Sequence, residues 1–594
     1  MLDNRINFNE VFNYMKFQEL AVYFDEIEKT SSRTGMTKLL AELFAKASPT
    51  ESSIICNLSL GQLNPPYIGT QFNIASTIMT SIVAHLLDLS ESTVNNEVKK
   101  LGDLGSVLEA NYKRRPRQEL TISQVNQELH TLEKISGTGS QEEKASHLRS
   151  LLEDLDPLSA KYVVRIILGK LRMGFSDMTL IDALSWMETG NKSLHDEIEN
   201  AYNMCADIGL IAQTLKEKGI NAIEKMHVQI GIPIRPSAAE RLHSAKAIVE
   251  KLGHCVAQPK LDGFRLQIHI DNTGKKPVIH FFSRNLQDMS YMFPDLVDAL
   301  KDLDVRTVIF EGEAIVYDLH SGHFLPFQET VKRKRKHGIE QAMEELPLRV
   351  YLFDLLYLNG KDLLNETHEE RRSTLLNLFK GFKNPAVQVI EEKVINTPKE
   401  LEVYFAANIA AGLEGLVVKR PDAIYQPGKR NFNWIKLKRE AEGHLEDTID
   451  AVVLGYCAGE GKRASFGIGA FLVGVYNPKE DRFETIAKIG TGLKDPDWIE
   501  LKKKCDQLAV KAQPKNVVCA KELYPDVWVS PEMVVVILAD EITQSPVHAA
   551  GKTEHELGYA LRFPRFMGYR TDKSATEATT VIEIKELYKE QFIQ

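Results

Sequence analysis

Lys260 opens the hexapeptide Lys260-Leu261-Asp262-Gly263-Phe264-Arg265, whose residue types suit a nucleotidyl-lysine site. A lysine amine can attack an α-phosphate, and a glycine beside it lets the backbone come close to a nucleotide. The arginine offers a planar fork of donors to the nucleotide's polar side. Asp262 is suited to orienting the lysine or helping to hold a metal. The plainer alternative is a solvated lysine and arginine around a hairpin turn, so the reading depends on what else the chain carries.

Four further segments bear on it. Glu311-Gly312-Glu313 follows the apolar run Val308–Phe310, which predicts both carboxylates at a strand's end, where oxygen ligands suit Mg²⁺. Alone, such a triplet is more often a surface turn. Tyr351 to Gly360 reads as a buried strand running into a turn, with Phe353 either stacking on a purine or packing the core. Glu414-Gly415-Leu416-Val417-Val418-Lys419 sets a carboxylate before a strand that ends in lysine, with Glu414 near a metal or ribose and Lys419 near phosphate. In Trp434-Ile435-Lys436-Leu437-Lys438 the lysines alternate with apolar residues, so a strand puts both on one face. Two ammonium groups on one face make a poor surface strand and a good polyphosphate clamp.

A scaffold must bring these segments together. The 594 residues exceed what one core can hold, and three or four domains are expected. Apolar content of 43% and charged content of 26% are those of a soluble globular protein. The start, Met1-Leu2-Asp3-Asn4, has no secretory pattern, and no apolar run reaches membrane-spanning length. Six scattered cysteines without a Cys-x-x-Cys pair argue for a reducing compartment and against structural zinc, so the expected location is the cytoplasm. The net charge of −9 does not exclude nucleic acid, because phosphate binding follows the local placement of cations. Two basic runs, Lys113–Arg117 and Lys332–Lys336, are compatible with either DNA contacts or solvated loops.

Apolar residues recur at helical spacing in Phe17–Ile27, Lys38–Phe44, Ala145–Leu152, Tyr162–Leu171 and Ile181–Met187. Ser140 with Glu143 predicts a capping box, and Ser176 a second cap. Pro233 and Pro236 mark an extended linker, followed by β-rich runs at Leu266–Ile270, Val278–Phe282, Val308–Phe310, Ala314–Tyr317, Arg349–Phe353 and Leu416–Lys419. After Thr448 short strands dominate: Ala451–Tyr456, Phe471–Tyr476, Thr485–Ile489 and Met533–Ala539. The expected architecture is multidomain: an all-α region over 1–226, an α+β domain with largely antiparallel sheets over 227–447, and a small β-barrel over 448–594. An oligonucleotide-binding (OB) fold is the leading candidate for the barrel.

In this order the segments resemble the covalent nucleotidyltransferase superfamily, and within it the ATP-dependent DNA ligases of archaeal and eukaryotic replicative type. Lys260–Arg265 resembles its motif I, Glu311–Glu313 motif III, Tyr351–Gly360 motif IIIa, Glu414–Arg420 motif IV and Trp434–Lys438 motif V. Arg570-Thr571-Asp572-Lys573 resembles motif VI, which in the family meets pyrophosphate in the first step. Ser283-Arg284-Asn285, Pro326-Phe327-Gln328, Leu561–Phe566 and, in the helical region, Gly169–Gly174 extend the likeness to nearly the whole chain.

The resemblance implies a nick-sealing enzyme of DNA replication, repair and recombination, working through a lysyl-AMP and an adenylated DNA end. It implies Lys260 as nucleophile and Gln258, Arg265, Arg284, Glu313, Phe353, Arg430, Lys436 and Lys438 around the nucleotide. Mg²⁺ would lie at Glu313 and Glu414, and Asp262, Lys419, Arg570, Asp572 and Lys573 would serve the pyrophosphate or the first step. Arg165, Lys170 and Arg172 are its candidate DNA contacts. ATP is the implied co-substrate, nicked duplex DNA the partner, and a sliding clamp a further candidate partner of a monomeric enzyme.

Two departures stand out. The family commonly has glutamate two residues before the lysine, accepting a hydrogen bond from the adenine amino group, where this chain has Gln258. Pro236-Ser237-Ala238-Ala239 replaces the usual Pro-Met-Leu-Ala. The motif itself is compatible with ATP, ADP or GTP. A capping guanylyltransferase shares the lysine motif but needs neither the helical region nor Leu561–Phe566; an RNA ligase is a nearer alternative. A non-catalytic binding module leaves the paired lysines unexplained, and the NAD-dependent ligases have a four-cysteine zinc module that is missing here.

Overall fold

The computed structural model describes residues 14–591 except 31, 114–115, 170, 172, 243, 318–323, 325–329, 331, 334–337 and 439–447. The chain forms two compact units, Met1–Ser76 with Arg114–Arg439 and Thr77–Lys113 with Glu440–Gln594. Among the described residues no helix is long and apolar enough to cross a membrane.

The first unit begins with amphipathic helices, among them Phe17–Lys29, Arg33–Lys46, Pro49–Ser59, Ile122–Lys134, Ser140–Glu153, Pro157–Ile167 and Asp177–Thr189. Their apolar stripes are buried, as with Phe17, Leu20, Phe24 and Ile27 on the first. Capping differs from the prediction. Gly139, not Ser140, is the N-cap of its helix, held at φ +82°, and Ser176 is an N-cap whose side chain makes no capping bond. Reciprocal capping boxes form instead at Ser48 with Glu51 and Thr121 with Gln124.

Among the described residues the rest of this unit has, besides helices, eleven strands: β1 Ala238–Arg241, β2 Cys255–Lys260, β3 Phe264–Asp271, β4 Val278–Ser283, β5 Thr307–Val316, β6 Leu348–Leu358, β7 Lys361–Asp362, β8 Val387–Val389, β9 Lys393–Ile395, β10 Gly415–Lys419 and β11 Arg430–Lys438. One sheet has the order β1-β11-β10-β2-β9; the other runs β4-β3-β5-β6-β7, with β8 also on β6. Most pairs are antiparallel as expected, but β1–β11 and β6–β8 are parallel.

The expected break between Phe310 and Ala314 is absent, because β5 continues through Glu311-Gly312-Glu313. A glycine permits this: a Cβ at position 312 would lie 2.9 Å from Val350 Cγ2 and 3.0 Å from Leu352 Cδ2 on the neighbouring strand. Each sheet has its own core, around Ile268, Phe281, Phe310 and Leu352 in one and Ala257, Leu416 and Ile435 in the other. A third cluster, with Ile234, Ile309, Leu356, Tyr425 and Trp434, draws on strands of both sheets.

The proline linker is tied down. Ile234 N–H donates to Gln267 Oε1 at 2.7 Å, Gln267 Nε2 donates back to Ile234 O at 3.0 Å, and Gly231 N–H donates to His269 Nδ1 at 3.1 Å. His269 is fully buried.

The second unit is dominated by a sheet of β12 Ile449–Cys457, β13 Ala470–Asn477, β14 Arg482–Ile489, β15 Ala509–Val510, β16 Val517–Val518, β17 Val527–Val529, β18 Val534–Leu538 and β21 Arg565–Tyr569. β19 Glu541–Ser545 and β20 Gly558–Arg562 form a separate hairpin pair. The predicted runs all fall on these strands. Helices Asp495–Gln507 and Val581–Glu590 cover the core, while Glu91–Leu101 and Leu104–Asn111 belong to the same unit.

Burial holds the His269 pKa down at about 3, against 6.5 for a free imidazole. A depressed folded-state value means that the unfolded chain takes up a proton first. This contribution to stability is therefore complete above pH 6.5 and is lost progressively as pH falls towards 3, at about 1.4 kcal/mol per pH unit. Denaturant unfolding at pH 6 and pH 5 should show that loss in the wild type and a correspondingly smaller one in His269→Gln; equal pH slopes would contradict it.

Candidate active site

Lys260 is the last residue of β2, and after three intervening residues the chain enters β3 of the other sheet, so the motif is a step between sheets rather than a hairpin. Gly263 makes the step passable. A Cβ there would lie 2.3 Å from Ala314 O on β5, and its N–H donates to Glu313 Oε1 at 3.2 Å. Asp262 is exposed beside it.

The Lys260 amine donates to Glu414 Oε2, and Lys438 donates to the other oxygen, Glu414 Oε1. The residue touching the amine is thus a carboxylate. Burial works to raise the Glu414 pKa, but the Lys260 and Lys438 charges win and hold it below the ordinary range. Lys436 and Lys438 alternate on β11 as predicted. The Lys436 pKa is lowered by partial burial and by the positive charges of Lys438, Arg430, Lys260 and Arg284, so these five cations share one neighbourhood. Arg284 and Arg430 are exposed.

Glu313 faces the Gly263 step, and burial pushes its pKa up to about 7 against the charges of Lys260 and Arg265. Glu311 serves differently: it is buried in a bidentate pair with Arg265, whose Nη2 donates at 3.0 and 2.9 Å. Arg265 Nη1 also donates to Ser237 O at 2.7 Å, and Tyr425 hydroxyl to Glu311 Oε2 at 2.9 Å. Only its Nε is buried without a hydrogen-bond partner. The guanidinium lies 5.5 Å from both the Phe353 and Trp434 rings, which meet edge to face at 6.1 Å.

Behind these rings lies a buried polar network whose Asp354, Arg371, His368 and Glu392 sequence reasoning missed; Lys419, expected near phosphate, is instead one of its buried members. Arg371 Nε and Nη2 grip the two oxygens of Asp354 at 2.7 and 3.1 Å. Lys419 is fully enclosed, donating to Phe353 O at 3.0 Å with Asp354 Oδ2 at 3.7 Å. Burial brings the Lys419 pKa down to about 8 despite Asp354 and Glu392. Burial alone would raise Asp354, but Arg371 and Lys419 hold it well below the usual carboxylate range. Gln258, on the Lys260 face of β2, donates Nε2–H to Glu392 Oε2 at 2.6 Å, and the same oxygen meets His368 Nε2 at 2.8 Å.

Other predicted positions resolve differently. Arg165, expected at DNA, is buried on helix Pro157–Ile167, where every residue from Ser159 onward is inside. Its Nη1 donates to Glu28 Oε2 at 2.8 Å, so its charge is spent within the helical core. Lys170 and Arg172 lie outside the described residues, as do Pro326–Gln328 and residues 334–336 of the basic run. Arg333 from that run is buried, its Nη2 donating to Asp295 at 2.8 Å. In the second unit Lys573 donates to Asp450 Oδ2 at 2.6 Å, Arg570 Nη1 lies 3.5 Å from the same oxygen, and Arg570 also pairs with Asp572 at 3.0 Å. Among the described residues one trio that could hold a metal, His195, Asp196 and Glu199, lies on a helix remote in sequence from these segments, and Glu199 there pairs with Lys429.

Comparison with known proteins adds a separate line. Family models match as the ATP dependent DNA ligase domain over residues 236–438, the DNA ligase N terminus over 16–185 and the ATP dependent DNA ligase C terminal region over 464–573. A "Probable DNA ligase" of Dictyoglomus thermophilum is 45% identical over 580 residues, covering 97% of this chain and 98% of that protein. A "DNA ligase" of Saccharolobus solfataricus is 37% identical over 596 residues, with 97% and 98% covered. The solved structure of Pmar-Lig_PreS3 aligns with a TM-score of 0.53 at 16% identity, covering 93% of this chain and 99% of that one, a likeness of fold.

Removing Arg371 while leaving Asp354 would strand a buried carboxylate. Arg371→Ala should cost about 3–5 kcal/mol in denaturant unfolding, whereas Arg371→Ala with Asp354→Ala should cost less than the single change. A single-variant loss under about 1 kcal/mol would show the pair to be solvated.

Proposed function

This chain belongs to the ATP-dependent DNA ligase family, and on that premise we propose that Lys260 carries AMP from ATP to a nicked duplex. The observation supporting this most is the lysine's seat: the end of a strand, beside a shared carboxylate, within a group of five cations that suits a triphosphate. The neutral amine attacks the α-phosphorus, a P–N bond forms as the nitrogen gives up a proton to solvent, and the bond from that phosphorus to the oxygen bridging the β-phosphate breaks to release pyrophosphate. An oxygen of the nick's 5′-phosphate then attacks that phosphorus and displaces the lysine, which recovers its proton. Finally the 3′-hydroxyl attacks the 5′-phosphate, its proton departs, AMP leaves, and a phosphodiester joins the strand.

Lys436, Lys438, Arg284 and Arg430 hold phosphates in this reading, Phe353 lies against the base, and Gly263 sets the amine's position. Arg265 shapes the floor through Glu311, with its unpartnered Nε–H left for the ribose side. Glu313 and Glu414 supply oxygen donors of the kind Mg²⁺ prefers, and Glu313, half-buried at the Gly263 step with one oxygen on its N–H, would gain from a cation's charge there. When bound, the metal would offset charge developing at the α-phosphate. Asp262 borders that space, and Lys419 supports the base-side wall from beneath Phe353. Arg570, Asp572 and Lys573 serve the leaving pyrophosphate in this reading.

The C-terminal sheet domain is read as an OB fold. Its support is β12, which pairs with β13 along one edge and successively with β18 and β17 along the other, as a strongly bent strand of a closing sheet does. The three domains are read as 1–226, 227–447 and 448–594, with the helical one binding duplex largely through phosphates, so affinity should fall with salt.

Incubation of Lys260→Ala with α-labelled ATP and Mg²⁺ should leave the protein unlabelled, while the wild type gains one AMP on the peptide containing Lys260. The variant should still shift a nicked duplex in a gel. Label on Lys260→Ala would overturn the assignment.

A further inference from the structure

A primary amide can turn either its oxygen or its NH₂ towards a ligand. Gln258 sits two residues before Lys260 on the same face of β2 and is buried, whereas Lys260 is partly exposed. With the α-phosphate at Lys260 and the base against Phe353, Gln258 is a polar group placed to meet the base edge. A free glutamine there would serve an amino or an oxo substituent almost equally.

Here the amide has lost that freedom. Its Nε2–H donates to Glu392 Oε2 at 2.6 Å, and a carboxylate offers acceptors alone. Turning the amide over would set Gln258 Oε1 against a carboxylate oxygen, acceptor against acceptor.

Glu392 is itself held. The oxygen that takes the Gln258 bond also accepts from His368 Nε2 at 2.8 Å, and Arg372 Nε lies 3.9 Å from its other oxygen. His368 is buried at the start of helix His368–Leu378, and its own N–H is fastened to Ala423 O at 2.8 Å. Burial would raise the Glu392 pKa, yet His368, Lys419 and Arg372 outweigh it and keep the group below its ordinary value, in the charged form that only accepts.

We propose that Glu392 is a positioning residue for base selection: by holding the Gln258 NH₂, it leaves Gln258 Oε1 as an acceptor facing the nucleobase. That atom matches the amino group of a 6-aminopurine and repels the oxo group of a 6-oxopurine. The inference rests on Lys260 being the nucleotide-bearing residue, and it names the base that this site prefers.

The test is lysyl-nucleotide formation by the full chain with ATP, GTP and purine riboside triphosphate, which has no substituent at position 6. Glu392→Gln can present either end of its amide, so the lock is lost. Its KM for ATP should rise about tenfold, the effect of one hydrogen bond of roughly 1.4 kcal/mol, with kcat little changed. The preference for ATP over GTP should fall by a similar factor, while the KM for purine riboside triphosphate stays put.

Gln258→Glu alone sets two carboxylates against each other and should weaken ATP use. Gln258→Glu combined with Glu392→Gln reverses the pair's polarity and should restore both ATP use and discrimination. This swap also decides the matter should Glu392→Gln fail to fold.

An unchanged ATP-to-GTP ratio in Glu392→Gln, an equal KM rise for purine riboside triphosphate, or no recovery in the swap would each overturn the proposal. A wild-type AMP adduct on Lys260 alongside any of these would sink this inference alone. Absence of that adduct would sink the reading of Lys260 itself.

Discussion

The arrangement around Lys260 depends on a steric constraint: two sheets come so close at Gly263 that no side chain fits at that position. The backbone of Gly263 passes against Ala314 O at a distance that would put a Cβ 2.3 Å from the oxygen. Because β2 and β3 belong to different sheets, this passage sets the lysine on one sheet against the carboxylate strand of the other. Glu313 then reaches the Gly263 N–H, while Glu311, two residues earlier, turns inward to Arg265. One extended strand thereby supplies both an interior ion pair and a carboxylate at the site.

Charge burial is the second organising feature. Asp354, Arg371, Lys419, His368 and Glu392 are mostly or wholly removed from water, an arrangement tolerable only where partners neutralise one another. The network lies under Phe353 and Trp434, so the aromatic wall rests on fixed charges instead of a deformable apolar core. Lys419 is 4.2 Å from the Trp434 centroid and 5.1 Å from that of Phe353, adding cation–π contact to the ion pair. Such a base resists reshaping.

Much of this was legible in residue order. Alternating Lys436 and Lys438 announced a strand with one cationic face, and the apolar run through Phe353 a buried strand ending at a turn; Asn359 and Gly360, at φ +49° and +93°, form that turn. What stayed hidden was polar and buried. Helix His368–Leu378 has almost no apolar stripe, and its inward residues include His368 and Arg371, so periodicity marks it as a surface element. Glu392 follows Glu391 in what reads as a charged loop. Arg165 and Arg333 misled in the opposite sense: basic residues signal exposure, and only the placement of Glu28 and Asp295 reveals them as interior. Glu311-Gly312-Glu313 looked like a turn because glycine commonly marks one, whereas this glycine serves crowding between strands.

Glu414 divides its two oxygens between Lys260 and Lys438. A triphosphate drawing Lys438 towards itself would leave Glu414 to the Lys260 amine alone, so that amine would part from its carboxylate only as a separate event.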